Sequence, residues 1–272
     1  MTATLAQITK GLLQAYSRHT RHRLGQHFLI DPQVLARIIA AAELNSDDLV
    51  VEVGSGLGVV TAEIAKLVRH VIAVEIDKEL LKISQDVLAN FNNITFVPED
   101  ILATDFQQLT HGRKYKIIGN LPYYITAPIV EKIVTAEDKP ELAVLMVQKE
   151  VAERMSAVPG SKKYGSFSIF VQFHAKVELN SFVSKSSFLP WPEVSSAIIT
   201  LTPHTSHPFP NIDEKKFFDL VHAAFQQRRK KLSTSLADYN LTGTTIDLNR
   251  RPETLSLEEF AELAKVAKPL TP

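Results

Sequence analysis

Short apolar runs alternate with helix-period segments along the first 150 residues of the chain. Leu49-Val50-Val51-Glu52-Val53 is one such run, and it leads directly into Gly54-Ser55-Gly56-Leu57-Gly58. The next segment has Val60, Ile64 and Leu67 on one face of a helix. His70–Val74 reads as a second strand, and residues 78–90 as a helix carrying Leu80, Leu81, Ile83, Val87 and Leu88. Ile94–Val97, Lys116–Gly119 and Ala143–Val147 complete five short strands. This alternation predicts an α/β fold, a doubly wound and mostly parallel sheet with helices on both faces. Ligands of such sheets lie beyond the carboxyl ends of the strands, so functional residues should follow strands one to four.

After about residue 168 the pattern changes. Ile169–Val183 and Ala197–Leu201 read as longer strands, an antiparallel edge of the same sheet, joined by the stiff turn Phe188-Leu189-Pro190-Trp191-Pro192. Pro203–Pro210 contains three prolines and two histidines and reads as a linker. Asp213–Gln227 and Leu257–Ala267 show helical patterns. The predicted organisation is a catalytic domain over 1–203, including an N-terminal arm, and a small all-helical domain over 204–272.

The positions after the strands carry the chemistry. A glycine-rich turn between a strand and a helix allows positive φ and a close approach of ligand to backbone. A dinucleotide fingerprint would require a third glycine at the position of Val59, which disfavours a nicotinamide-dependent oxidoreductase and suits a nucleoside without a pyrophosphate. Glu75 ends the second strand, where a carboxylate accepts hydrogen bonds from both ribose hydroxyls. Asp100 follows the third strand, where a carboxylate can accept from an adenine amine; Asp77 fits a helix cap. Asn120-Leu121-Pro122-Tyr123 follows the fourth. An exocyclic base amine delocalises its lone pair into the ring. Two acceptors, the Asn120 amide oxygen and the Leu121 carbonyl held extended by Pro122, favour the pyramidal amine that attacks a sulfonium methyl. Tyr123 offers a stacking face, a contact worth about 1–3 kcal/mol. Such a pocket takes a flipped or unpaired base. Upstream, Leu24–Leu29 is read as closing over the methionine end of S-adenosylmethionine.

Bulk properties narrow the partners. The 272 residues are 45% hydrophobic and include no cysteine, which excludes disulfides, zinc ribbons and cysteine nucleophiles. No apolar run approaches the roughly 20 residues of a membrane span. The net charge is zero, unlike most nucleic-acid binders, yet charge is unevenly placed. Residues 1–30 hold Lys10, Arg18, Arg21 and Arg23 and no acid, and Arg228-Arg229-Lys230-Lys231 forms a second basic cluster. If both flank one cleft they bind RNA locally. The acid-free start also fits an organellar targeting segment, but it runs straight into residues that read as functional, so it is taken as part of the working protein.

Together these residues resemble the ribosomal RNA adenine N6,N6-dimethyltransferases over nearly the whole chain. The likeness rests on Gly25–Leu29, Glu52–Gly58, Val74–Asp77, Asp100, Gly119–Tyr123, Gln148–Arg154, Tyr164-Gly165, Phe188–Val194 and Ala224–Lys230. It implies a seven-stranded methyltransferase sheet, S-adenosylmethionine as cofactor, no metal, and a cytoplasmic monomer acting in ribosome biogenesis. The implied substrate is a pair of adjacent adenines in a hairpin loop near the 3′ end of small-subunit rRNA, within an immature subunit. By position, His27 and Leu29 would touch the methionine part, and Gly54 and Gly56 would approach the cofactor backbone-first. Glu75 with Ile76 would hold the ribose, Asp100 with Ile101 the adenine, and Asn120 would bridge cofactor and target. Phe188 is the implied second aromatic wall opposite Tyr123, and Arg21, Arg23, Lys149, Arg228, Arg229 and Lys230 the implied RNA contacts. Three positions depart from the family pattern: His27 stands where asparagine is common, Glu193 where a basic residue is common, and Ser195 where aspartate is common. Leu121 also stands where the small-subunit enzymes more often have isoleucine. The rivals are a large-subunit adenine methyltransferase of the antibiotic-resistance type and a non-catalytic RNA-binding factor that kept the fold.

Overall fold

A computed structural model describes residues 4–16, 26–206 and 208–270. The elements follow in chain order as α1 (Leu5–Ala15), β1 (Phe28–Leu29), α2 (Pro32–Ala41), β2 (Leu49–Val53), α3 (Val59–Ala65), β3 (His70–Val74) and α4 (Lys78–Val87). Then come β4 (Ile94–Val97), α5 (Phe106–Thr110), β5 (Lys116–Asn120), α6 (Thr126–Thr135), β6 (Leu142–Gln148), α7 (Lys149–Met155), α8 (Ser166–His174) and β7 (Ala175–Val183). The last are β8 (Phe188–Leu189), β9 (Ser196–Pro203), α9 (Glu214–Gln226), α10 (Leu232–Ser235), β10 (Tyr239–Asn240), α11 (Leu257–Val266) and β11 (Lys268–Pro269).

The chain forms two compact units, one of residues 1–152 with 178–203 and the other of 153–177 with 204–272. Besides the expected border at 203/204, the chain passes between units at 152/153 and 177/178.

The first unit is built on a seven-stranded sheet in the order β4-β3-β2-β5-β6-β9-β7. β2, β3, β4, β5 and β6 run parallel, and β9 pairs antiparallel with β6. β2 is buried along its whole length, as expected of a central strand covered on both faces. The helices have local start signals. Asp31 accepts the Gln33 N–H at 2.9 Å with Pro32 in the first turn of α2, and Asp77 accepts the N–H groups of Glu79 and Leu80 at the start of α4. A second, two-stranded pairing sets β1 against β8, with Phe28 opposite Leu189 and Leu29 opposite Phe188.

In the second unit Tyr164, Phe173, Phe217, Leu220, Phe260 and Leu263 form a buried core. Phe173 stacks on Phe217 with ring centroids 4.8 Å apart. α11 opens with a capping box in which Ser256 and Glu259 bond each other's backbone N–H. In this unit the two-residue strands β10 and β11 pair antiparallel. Ile169–Val183 is not one strand: its first part is helical, in α8, and β7 starts at Ala175. The run Phe167–Phe173 carries β-prone aromatics, but packing decides. Ser168 accepts the Gly165 N–H, and Ile169 and Phe173, one helical turn apart, both enter the aromatic core.

Candidate active site

The parallel register brings three strand ends to one level. Val53 lies opposite Val74 on one side and Gly119 on the other, so Gly54, Glu75 and Asn120 emerge side by side. Val74 in turn faces Val97, which brings the turn containing Asp100 alongside. Beyond these ends lies a cavity of about 230 Å³ within the first unit. His27, Leu29, Gly54, Gly56, Glu75 and Ile76 line it, as do Asp100, Ile101 and the whole Asn120–Tyr123 tetrapeptide.

The Gly54–Gly58 turn carries one peptide N–H to an acid. Gly56 has φ +55°, and its N–H donates to Glu75 Oε2 at 2.9 Å. A β-carbon there would meet the Phe28 ring at 3.4 Å. The other Glu75 oxygen, Oε1, accepts the Asp77 N–H at 2.8 Å. Burial raises the Glu75 pKa, and these two N–H donors oppose the rise. Each oxygen retains a lone pair after these bonds, so the carboxylate can also accept two hydroxyls. Asp100 Oδ1 accepts the Leu102 N–H at 2.9 Å, which fixes that carboxylate in the cavity wall. Ile76 is 53% exposed at the cavity, while Ile101 is buried.

Asn120 is oriented by a bond that leaves no ambiguity in its amide. Its Nδ2 donates to the His27 carbonyl at 3.0 Å. A carbonyl accepts only from the NH2 side, so Oδ1 is the group left to accept. The Leu121 side chain is buried, and its N–H donates to Met146 O at 3.0 Å, locking the tetrapeptide to β6. Tyr123 shares a 2.6 Å hydrogen bond with Ser196 Oγ, and burial pushes its phenol pKa up, so it stays a neutral ring at neutral pH.

Two residues have roles the sequence reading does not assign. The His27 ring lies 5.7 Å from the Tyr123 ring at 27°, covering one of its faces, and its Nδ1 is 2.9 Å from the Pro190 carbonyl. Glu52 stands inside the buried strand β2 and lines the cavity; its Oε2 is buried with no hydrogen-bond partner among the described residues. Burial pushes its carboxyl up to about 7, opposed by the neighbouring Thr61 hydroxyl and reinforced by the charge of Glu75. The signal was in the sequence: an acid within an otherwise apolar strand is costly unless it does something.

Other expected site residues are placed elsewhere. Phe188 is fully buried in the core with Leu29, Val34 and Ile198 and does not line the cavity, so it forms no wall opposite Tyr123. Its strand pairing is the reason: β8 lies against β1, and the Phe188 side chain turns to the core. Arg228 spends its guanidinium on the carbonyls of Lys162 (2.6 Å) and Tyr164 (2.7 Å), while Arg229 and Lys230 are exposed. Lys149 is exposed with its ammonium 4.8 Å from the centre of the Phe182 ring. Arg21 and Arg23 lie outside the described residues.

A family model described as ribosomal RNA adenine dimethylase matches residues 17–268. The ribosomal RNA small subunit methyltransferase A of Bacillus mycoides (strain KBAB4) is 40% identical, over 94% of each chain. A dimethyladenosine transferase from Plasmodium falciparum has a similar structure, with TM-score 0.76 at 26% identity over 89% of this chain and 99% of that one. The 23S rRNA methyltransferase ErmE is also similar, with TM-score 0.72 at 25% identity over 88% and 98% of the two chains. A cavity at the strand ends, an oriented asparagine beside it and a family match spanning almost all residues agree, and the chain belongs to the ribosomal RNA adenine dimethylase family.

Proposed function

We propose that this protein uses S-adenosylmethionine to dimethylate the N6 amines of two adjacent adenines in a hairpin loop near the 3′ end of small-subunit rRNA. The oriented amide of Asn120 at the mouth of a cavity walled by Glu75 and Asp100 carries this reading. The residues fit the cofactor: Glu52 offers its buried Oε2, which has no hydrogen-bond partner among the described residues, to an ammonium, Glu75 two acceptors to a ribose, and Asp100 one to an adenine amine. S-adenosylmethionine supplies an electrophilic methyl group on a sulfonium. The protein holds the target. Asn120 Oδ1 and the Leu121 carbonyl accept both amine hydrogens in the first transfer and one of them accepts the remaining hydrogen in the second, while the face of Tyr123 not covered by His27 takes the base. No general base is needed: the bond to the methyl carbon would form as its C–S bond breaks and the thioether leaves, the strongly acidic methylated amine would lose its proton to solvent, and positioning and aligned dipoles lower the barrier. The enzyme acts as a cytoplasmic monomer on immature small subunits. Among the described residues no helix is long and apolar enough to cross a membrane, and no group of three His, Asp or Glu is placed to hold a metal.

The test is incubation with labelled S-adenosylmethionine and immature small subunits from cells lacking the modification. Label confined to two adjacent adenines is expected. Label only in large-subunit rRNA would move the chain to the resistance class, and none in either would make it a binding factor.

Two further outcomes follow from particular side chains. Glu52 ionises near pH 7, and its charge attracts a cationic cofactor, so cofactor affinity should rise between pH 6 and 8. In Glu52→Gln calorimetric titration should give a flat profile. The sign for stability is opposite. The folded carboxyl sits above its ordinary 4.5, so the native state holds the proton longer than the unfolded chain. The stability contributed by this group therefore falls as pH rises from about 4.5 to about 7, then levels off, and the glutamine variant loses this contribution to the slope.

The residues from 204 onward are assigned the ribosome-contacting role through Arg229 and Lys230. The double variant Arg229→Glu, Lys230→Glu should weaken subunit binding about tenfold at low salt while cofactor affinity holds. Unchanged subunit affinity would reduce the cluster to a solvated face. Arg228 is the wrong residue for this test, since reversing it also breaks its two carbonyl contacts.

A further inference from the structure

Trp191 is the chain's single tryptophan, and it is 68% exposed. A free indole is a large apolar surface in water, and nothing in the packing of the unit asks for it there. Its setting is rigid and specific. Prolines flank it at 190 and 192. The segment is tied at four points: the Pro190 carbonyl to His27 Nδ1 at 2.9 Å, the Glu193 carbonyl to the Lys185 ammonium, the Ser195 carbonyl to the Lys149 N–H at 2.9 Å, and Ser196 Oγ to the Tyr123 hydroxyl at 2.6 Å. Its two ends are thus bonded to the two rings that stack beside Asn120. The segment is thereby continuous with the rings of the proposed RNA-binding pocket, which favours that RNA as the occupant over an apolar protein partner.

Resting on the proposed RNA substrate, the geometry points to Trp191 as a stacking platform for an unpaired base neighbouring the target adenine. It is a positioning residue: it does not meet the reacting atoms, but it holds the strand from which the target is presented. Stacking on an indole is indifferent to base identity, so the contact supplies affinity and register while sequence is read elsewhere. Twin adenines require the strand to be held and re-registered between transfers, and a flat platform permits both.

The single tryptophan makes the test direct. A short RNA hairpin with adjacent adenines in its loop should quench indole emission saturably, whereas S-adenosylmethionine alone should leave it nearly unchanged. Trp191→Ala should raise KM for immature subunits about five- to a hundredfold with kcat and cofactor affinity held, and Trp191→Phe should recover most of the loss. A wild-type KM in the alanine variant overturns the proposal. So does emission unchanged by hairpin at concentrations that saturate binding by anisotropy of labelled RNA. Emission that changes with protein concentration alone would assign the indole to a second copy of the chain and also overturns it. If the wild-type chain transfers no methyl group while RNA still quenches, the methyltransferase reading falls and the stacking contact stands.

Discussion

Asn120→Ala is expected to reduce methyl transfer by two to three orders of magnitude or more, corresponding to about 3–4 kcal/mol of lost transition-state stabilisation. The side chain has one task, and the structure shows how it is held to it. The His27 carbonyl takes the NH2 side of the amide, which fixes Oδ1 as an acceptor before any substrate arrives. An amine whose hydrogens are held by Oδ1 and the Leu121 carbonyl aims its lone pair; without Oδ1 it relaxes toward the planar, unreactive form. Asn120→Asp is expected to fare no better, because a carboxylate oxygen would then face the His27 carbonyl in place of a donor. The fold should survive, since β5 keeps its ladder with β6 through the backbone of Asn120. Thermal melting and cofactor titration alongside the methylation assay separate these effects. Turnover near wild type in the alanine variant would sink the mechanism.

The parallel half of the fold was legible because its strands are short, apolar and punctuated. Leu49–Val53, His70–Val74 and Ile94–Val97 have the predicted bounds, Asn120 ends its strand, and Glu75 and Asp100 follow theirs, where open parallel sheets place their ligands. Legibility failed where tertiary packing overrides local preference. Phe167–Phe173 has the composition of a strand, yet one helical turn sends both Ile169 and Phe173 into the second unit's core. Phe188 sits in a motif suggestive of a substrate wall, but pairing with Leu29, which no local pattern announces, turns it inward. His27 is a different case. Its carbonyl, invisible in any residue-type argument, orients Asn120, and its ring covers Tyr123 because Pro190 holds it there. Contacts across 93 and 163 residues of chain cannot be read from spacing.

Glu75→Ala is expected to lower cofactor affinity by about two to four orders of magnitude, the loss of two hydrogen bonds to a charged acceptor at about 1.5–3 kcal/mol each. The carboxylate acts in two directions at once. Toward the cavity it accepts from the ribose; toward the protein it ties the glycine turn to the start of α4 through the N–H groups of Gly56 and Asp77. The alanine variant therefore leaves both donors without their acceptor, and the Asp77 N–H is in a buried setting where that costs about 1–3 kcal/mol. A fall in melting temperature should accompany the fall in affinity. Glu75→Gln separates the two roles. Its single oxygen can serve one backbone N–H or the ribose, but its NH2 repels the remaining donor, so affinity should fall nearly as far while stability recovers only in part. Wild-type cofactor affinity in either variant, measured by calorimetry, would remove Glu75 from the site, and with it the two acceptors proposed for a ribose.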